Sequence, residues 1–221
     1  MEEKTVVRNY FNETGFDRWR RIYGDEAVNR IQYSIRVGHQ RTIDRVLEWL
    51  GDVQGRTICD AGCGMGSLSI PLAQRGAIVY GTDISEKMVS EARRRAQKSL
   101  PKDTTLKFDV VELELVNGQY EVVVCLDVLI HYPLPQVEKM LAHLSSLSTK
   151  SLILTYAPKT VLFALLKRIG QFFPGANKTT RAYQHRSVDI EAILERLGWK
   201  IARRAAIDDK FYFARLVMAE R

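Results

Sequence analysis

Short apolar runs alternate with helical patterns through the middle of the chain. The run Val122–Val124 is too apolar for a sheet with one exposed face, so the alternation predicts a parallel sheet with helices on both faces. The predicted strands are Thr57–Asp60, Ala77–Asp83, Thr105–Val110, Tyr120–Leu126 and Ser151–Tyr156. The predicted helices between them are Ser67–Arg75, a helix capped by Ser85, and Gln136–Leu147.

The end of the chain predicts a different arrangement of strands. A helix is expected at Val188–Leu197, and two strands follow at Trp199–Ile207 and Phe211–Met218, with a short turn at 208–209. Because the turn is short, the two strands are expected to form an antiparallel hairpin at or near one side of the sheet.

The first 50 residues lie outside the α/β pattern. Their apolar positions have mostly helical spacing, which predicts an N-terminal helical arm at 1–50 ahead of one α/β domain at 51–221. Gly15, Gly24 and Gly38 are expected to divide the arm into short pieces.

A second segment, residues 159–183, combines apolar, aromatic and basic side chains. It predicts an insertion after the fifth strand. The composition suits an ordinary packed helix and loop, a lid over a flat apolar substrate, or a patch that touches a membrane surface.

Composition and charge narrow the class of protein. The 221 residues suit one α/β domain of ordinary size with a small insertion. The net charge of +7 suits an anionic partner, but no basic motif with interleaved aromatics is present, so no nucleic-acid partner is expected.

Without a membrane-spanning stretch or a secretory signal, a cytoplasmic protein is expected, with peripheral membrane contact left open. Cys59, Cys63 and Cys125 are expected to be reduced thiols and not metal ligands.

The most informative local feature is the glycine-rich loop at the end of the first strand. Asp60 and Ala61 precede Gly62, Gly64 and Gly66, so the spacing is Gly-x-Gly-x-Gly and not the Gly-x-Gly-x-x-Gly of dinucleotide-binding folds. Glycines let the backbone approach a ligand, and the N-terminus of the following helix suits an anionic group. The loop resembles the first motif of class I, Rossmann-like S-adenosylmethionine-dependent methyltransferases. The alternative interpretation is a tight turn that binds no ligand. The resemblance implies a seven-stranded mixed sheet whose last strand is antiparallel.

The ends of the next strands supply further candidates for binding the methyl donor. Asp83 suits a carboxylate that accepts hydrogen bonds from the ribose hydroxyls, although it also suits a helix N-terminal acid. An acid after the third strand is expected to contact the adenine amino group, with Glu112 favoured and Asp109 as its competitor. The predicted contacts with the donor are Asp60, Gly62, Cys63, Gly64, Gly66, Asp83, Ile84, Glu112 and Leu126.

The fourth strand ends close to His131 and Tyr132. Ligands of open α/β sheets lie outside the carboxyl ends of the strands, so both residues are expected near the methyl donor. A single histidine is more often structural, but this position favours a functional role for His131.

Several blocks outside the glycine loop resemble one family, the magnesium-protoporphyrin IX O-methyltransferases. The resemblance covers nearly the whole chain and is carried by 7–12, 15–24, 59–72, 125–133 and 178–185. It implies methyl esterification of a porphyrin propionate in chlorophyll and bacteriochlorophyll synthesis, with S-adenosyl-L-methionine as donor and S-adenosyl-L-homocysteine as product. It also implies functional roles for Tyr23 and His131, a mobile flap formed by the N-terminal arm, and contact with magnesium chelatase. The connection from Asp109 to Tyr120 departs from the family's Asp-Leu-Glu form, which leaves the adenine-contacting acid open.

The porphyrin acceptor agrees with the 159–183 segment, whose phenylalanines suit the ring and whose cations suit a carboxylate. The predicted substrate contacts are Phe163, Arg181, Tyr183 and His185, and no protein metal site is predicted.

A propionate is already ionised at neutral pH, so direct in-line displacement needs no general base. His131 and Tyr23 are then expected to position the carboxylate or to close the flap, and His131 is also a candidate for contact with the porphyrin magnesium. Two alternatives stay open: methylation of another apolar acceptor such as a quinone precursor, and a non-catalytic protein that binds the methyl donor or a porphyrin.

Overall fold

The computed structural model describes residues 3–24, 26–159 and 182–221. The helices of this part of the chain are α1 (Glu3–Asn12), α2 (Phe16–Ile22), α3 (Arg30–Leu50), α4 (Ser69–Gln74), α5 (Glu86–Ser99), α6 (Leu134–Leu147) and α7 (Ser187–Arg196). The strands are β1 (Thr57–Ala61), β2 (Ile78–Asp83), β3 (Leu106–Val110), β4 (Tyr120–Cys125), β5 (Ser148–Tyr156), β6 (Lys200–Asp208) and β7 (Phe213–Glu220).

The strands of the described residues form one seven-stranded mixed sheet in the order β3-β2-β1-β4-β5-β7-β6. The first five strands pair in parallel, and β7 pairs antiparallel with both β5 and β6. The predicted fold class and the closing antiparallel hairpin are therefore confirmed. Because the strand order reverses at β1 and β4, their carboxyl ends open the crevice in which such sheets bind ligands.

The core consists of two apolar layers, one on each face of the sheet. Consecutive residues of a central strand enter opposite layers, because side chains alternate across a strand. Val123 packs in the layer that contains Leu141 of α6, whereas Val122 and Val124 pack in the layer that contains Ile43 of α3. Burial on both faces explains why the strand is continuously apolar.

The structure corrects one prediction about the N-terminal 50 residues. Gly38 does not interrupt a helix but lies inside α3, a continuous helix of 21 residues. A Cβ at this position would lie 2.3 Å from Cδ1 of Tyr212, so the glycine serves close packing and not a chain break. The second half of α3, from Ile43 onward, packs in the core against the sheet, while the division into an arm at 1–50 and a domain at 51–221 stays a prediction.

Several predicted bounds also need correction. The predicted helix at Ser67–Arg75 is α4, which begins at Ser69 and ends at Gln74. Strand β5 begins three residues earlier than predicted, at Ser148, because the start of β5 pairs with the start of β4. The connection of the final hairpin runs from Asp209 to Tyr212 and is closed by a hydrogen bond of 2.7 Å from the Asp209 N–H to the Tyr212 carbonyl.

Most of the predicted lid at 159–183 lies outside the described residues. Within the described chain, no helix is both long enough and apolar enough to cross a bilayer.

Candidate functional site

A cavity of about 980 Å³ lies at the carboxyl ends of the central strands. One wall consists of the glycine loop and the ends of β2 and β4. The arm helices and α3 complete the lining through Phe11, Trp19, Tyr23, Ile35 and His39. The arm therefore closes a crevice that the sheet alone would leave open.

The glycine loop is held by hydrogen bonds from its own amides. The N–H groups of Gly62 and Cys63 donate to the Thr82 carbonyl over 2.7 and 2.8 Å, and that of Gly66 donates to the Cys63 carbonyl over 2.9 Å. These three loop N–H groups are therefore occupied by carbonyls of the protein itself. Gly62 has a φ of 84°, and a Cβ there would lie 2.1 Å from Cγ2 of Val128, so the loop can approach β4 only with glycine at this position.

Asp83 joins the loop to the second strand. Its Oδ2 accepts a hydrogen bond of 3.0 Å from the Gly64 N–H, and its Oδ1 accepts one of 2.8 Å from the Ser85 N–H. Burial raises the pKa of Asp83 above its ordinary value, although these backbone donors favour the charged form. The carboxylate lines the cavity with its orientation set by two backbone amides.

The other predicted donor contacts near the loop divide into two groups. Cys63, Ile84 and Leu126 line the cavity. Gly66 lies behind the wall, where a Cβ would lie 3.0 Å from Cζ of Phe108. Asp60 is buried beneath the loop and accepts a hydrogen bond of 2.5 Å from Ser69 Oγ; burial raises the pKa of Asp60 to about 6.

The position of the acid predicted to contact adenine differs most between the sequence prediction and the structure. Neither Glu112 nor Asp109 is among the described residues that line the cavity. Glu112 forms ion pairs with Lys4 and Arg8 of α1, so this acid fastens the arm to the body. Glu114, which sequence reasoning did not single out, lines the cavity and has a buried Oε2 without a hydrogen bond in the described structure.

A second contact fastens the arm above the wall that contains the glycine loop. Oδ1 of Asn12 accepts hydrogen bonds from Ser85 Oγ at 2.9 Å and from the Lys87 N–H at 3.3 Å. Ser85 Oγ also accepts a hydrogen bond from the Met88 N–H, which caps α5 as predicted. The arm is thus attached to the helix that follows Asp83.

His131 lines the cavity in an apolar setting. Its ring meets the edge of Phe11 at a centroid distance of 5.3 Å. Its Nδ1 is buried and has no hydrogen-bond partner in the described part of the chain. Burial lowers the pKa of His131 to about 4, so the imidazole is neutral at neutral pH.

Tyr23 follows the last turn of α2 and also lines the cavity. Two arginines hold this turn: Arg95 Nη1 donates to the Tyr23 carbonyl over 3.1 Å, and Arg36 Nε donates to the Ile22 carbonyl over 2.7 Å. Burial raises the pKa of Tyr23 well above its ordinary value, so the phenol keeps its proton. Neither arginine could be assigned from the sequence, because their partners are backbone groups far away along the chain.

A cluster that the sequence did not reveal lies beside Tyr23. The ring of His39 stacks on Tyr23 with centroids 4.2 Å apart, and its Nδ1 donates to Asp127 Oδ2 over 2.9 Å. Asp127 also accepts from the Tyr212 hydroxyl at 2.9 Å. Burial would raise the pKa of Asp127, but hydrogen bonds from His39, Tyr212 and Thr155 lower it below its ordinary value. Asp127 is therefore a charged carboxylate at the cavity wall.

The predicted substrate contacts of the lid region are only partly visible. Phe163 and Arg181 lie outside the described residues. The hydroxyl of Tyr183 donates to Glu3 Oε1 over 3.0 Å, which ties the end of the lid to α1. His185 is buried and donates from Nε2 to the Leu129 carbonyl over 3.2 Å, so it supports the chain behind the cavity. Among the described residues here, Ala182 and Gln184 face the cavity instead.

Family models match two parts of the chain. The "Magnesium-protoporphyrin IX methyltransferase C-terminus" model matches residues 125–221, and a "Methyltransferase domain" model matches residues 58–150. The magnesium-protoporphyrin O-methyltransferase of Synechocystis sp. is 54% identical over 100% of this chain and 97% of its own length. The chain belongs to the magnesium-protoporphyrin IX methyltransferase family. A chloroplastic family member from Arabidopsis thaliana is 52% identical over 98% of this chain and 71% of its own length.

A crystal structure of this family agrees with the observed fold. The magnesium protoporphyrin IX methyltransferase of Synechocystis PCC 6803 with bound S-adenosylhomocysteine superposes with a TM-score of 0.93. It is 54% identical, and the match covers 99% of both chains. The predicted family, the class I fold and the S-adenosylmethionine-dependent methyltransferase class are thereby confirmed.

Proposed function

We propose that this chain transfers the methyl group of S-adenosyl-L-methionine to a propionate carboxylate of magnesium protoporphyrin IX, giving the monomethyl ester. The observation that carries the proposal is one cavity with two unlike walls. Asp83 and the glycine loop form one wall, named the methyl-donor wall below. Tyr23 and His131 lie among the apolar and aromatic side chains around the rest of the cavity, named the acceptor wall. Family membership supplies the acceptor, since the relatives are named for it.

The methyl-donor wall fits a nucleoside joined to an amino acid. The carboxylate of Asp83 suits two vicinal ribose hydroxyls, as in other nucleotide-binding α/β proteins. The positive φ values of Gly62 and Gly64 keep side chains away from the wall. Ile84 and Leu126 offer apolar surface for a flat base. When bound there, S-adenosylmethionine supplies an electrophilic methyl group on a sulfonium.

On the acceptor wall, Tyr23 and His131 position the carboxylate and take no proton from it. The propionate is ionised at neutral pH, with a pKa of about 4 to 5 by analogy with glutamate. Tyr23 keeps its proton and can donate a hydrogen bond to one carboxylate oxygen. His131 is neutral, so one ring nitrogen donates while the other stays unprotonated. Holding two groups in line can lower a barrier by as much as ~7 to 11 kcal/mol.

The predicted substrate contacts of the lid region have different proposed roles: two touch the substrate directly, and two act indirectly. Phe163 and Arg181 are proposed to contact the porphyrin ring and a propionate, because an aromatic side chain suits the ring and a cation suits a carboxylate. Tyr183 and His185 are proposed to act indirectly, because their observed partners are Glu3 and the Leu129 carbonyl. Peripheral contact with a membrane and contact with magnesium chelatase also rest on the resemblance and on the net charge of +7.

The test is incubation of the purified chain with magnesium protoporphyrin IX and methyl-labelled S-adenosylmethionine. We expect one label per porphyrin, in an ester that mild base hydrolyses. Label transferred to a phenolic quinone precursor and not to the porphyrin would support the rival acceptor. Binding of the methyl donor by calorimetry without any transfer would indicate a non-catalytic protein.

A further inference from the structure

The proposed methyl transfer assigns no role to the pair of His39 and Asp127. His39 comes from the middle of α3 and Asp127 from the residues just after β4, so the two are brought together only by the fold. Both line the cavity. The pair therefore presents a histidine held by a carboxylate to the space that the substrate is proposed to occupy.

Asp127 is unusually well supported for a cavity residue. It is the single non-glycine residue with a positive φ in the described chain, at 56°. Its N–H donates to Thr155 Oγ1 over 2.7 Å, and its carboxylate accepts from Thr155, Tyr212 and His39. Backbone conformations of this kind persist where surrounding contacts impose them, and they concentrate at functional sites.

The same contacts determine the protonation pattern of His39. Because Asp127 is a charged acceptor, the hydrogen in the 2.9 Å contact is on Nδ1 of His39. In the neutral imidazole the lone pair is then on Nε2, which has no hydrogen-bond partner within the described residues. Stacking on Tyr23 and the bond to Asp127 fix the ring in one orientation.

A fixed imidazole with a free Nε2 can accept a proton or bind a metal. An ionised propionate offers no proton that the reaction needs to remove. The magnesium of the porphyrin is a Lewis acid whose four ring nitrogens leave an axial position for a neutral donor. Histidines that bind metals usually donate their other ring N–H to a carboxylate or carbonyl, as His39 does to Asp127.

We propose that Nε2 of His39 is the axial ligand of the substrate's magnesium, with Asp127 as its positioning residue. The proposal rests on the proposed function, since it needs magnesium protoporphyrin in this cavity. It separates the roles of the two cavity histidines: His39 holds the metal centre, and His131, which has no carboxylate partner within the described chain, lies free to position the propionate.

The experiment compares the affinities for magnesium protoporphyrin IX and for metal-free protoporphyrin IX, measured by fluorescence quenching. The wild-type chain is expected to favour the magnesium form. His39→Leu should lose this preference while its affinity for the metal-free porphyrin is retained, and Asp127→Asn should reduce the preference by about 10- to 100-fold. The matched variant His131→Leu should retain it. The Soret band of bound magnesium protoporphyrin should shift in His39→Leu and not in His131→Leu.

Two controls keep the outcomes distinct. Binding of S-adenosylmethionine shows that each variant is folded, and imidazole added to His39→Gly should restore the preference for magnesium. A preference that survives in His39→Leu, or that His131→Leu abolishes instead, overturns the proposal. A wild-type chain that methylates magnesium protoporphyrin without any preference for the metal also overturns it while supporting the proposed function; failure of that methylation is a failure of the proposed function itself.

Discussion

The two walls of the cavity are built in different ways. The methyl-donor wall consists of backbone and side chains at the carboxyl ends of β1 and β2, such as Gly64 and Asp83, which meet through a hydrogen bond of 3.0 Å. The acceptor wall is assembled from Tyr23, His39, Asp127 and His131, which come from the arm, from α3 and from the residues after β4. A binding site made by one strand-loop-helix unit is recognisable as a motif, whereas a site assembled from distant segments is not.

The difference has a functional consequence. The donor wall is rigid because hydrogen bonds within the loop and to Thr82 determine its shape. The acceptor wall depends on how the arm lies on the body, through the ion pairs of Lys4 and Arg8 with Glu112 and through the contact of Arg95 with the Tyr23 carbonyl. Variants should therefore affect donor binding and methyl transfer separately, and three of the four predictions that follow test this separation.

The largest effect is expected for Tyr23→Phe. Removing the hydrogen bond that holds the reacting carboxylate in line with the methyl group should lower kcat by about 100-fold or more. The Kd for S-adenosylmethionine should stay unchanged, because the donor wall is untouched. Steady-state kinetics and calorimetry measure the two quantities, with Tyr33→Phe as the control at an exposed tyrosine. A matching loss of donor affinity would show that the two walls are not independent.

The next effect concerns pH. The pKa of His131 is about 4 when folded and 6.5 in its ordinary state, so protonation favours the unfolded chain. The stability present above pH 6.5 is lost as the pH falls through 4, up to about 3 kcal/mol. Urea unfolding between pH 4 and 7 should show this slope, and His131→Phe should reduce it. The same slope in His131→Phe and in the control His143→Phe would contradict the assignment.

For the donor wall, Asp83→Ala should raise the Kd for S-adenosylmethionine by about 100-fold, since hydrogen bonds to charged groups contribute ~1.5 to 3 kcal/mol each. Calorimetry measures the Kd, and Glu86→Ala is the control at an exposed acid nearby. The kcat at saturating donor should fall much less than in Tyr23→Phe. An unchanged Kd would remove Asp83 from the donor site.

The smallest effect is expected for Gly38→Ala. The added Cβ would lie 2.3 Å from the ring of Tyr212, so the free energy of unfolding should fall by about 1 to 3 kcal/mol. Tyr212 donates to Asp127, so the acceptor wall should be disturbed while donor affinity is kept. Urea unfolding checks the stability, with Gln40→Ala as the exposed control on the same helix. A stabilised Gly38→Ala variant would contradict the packing role of this glycine.

The sequence alone predicted the sheet, its closing hairpin and the methyl-donor motif. Strand periodicity and loop spacing are local properties, so residues such as Gly62 and Asp83 could be predicted as donor contacts from their positions at the strand ends, and these contacts stay predictions. The sequence resemblance also indicated the family. It singled out Tyr23 and His131, whose catalytic roles stay predictions.

The tertiary structure alone decided which residues complete the acceptor wall. His39 and Asp127 are 88 positions apart, and no spacing rule brings them together. Tertiary contacts also changed the interpretation of three local signals: Gly38 became a packing contact, Glu112 became an anchor for α1, and His185 became a buried support. The physical reason is the same in each case. A side chain's role depends on the partner that the fold brings within about 3 to 4 Å, and that partner is far away along the chain.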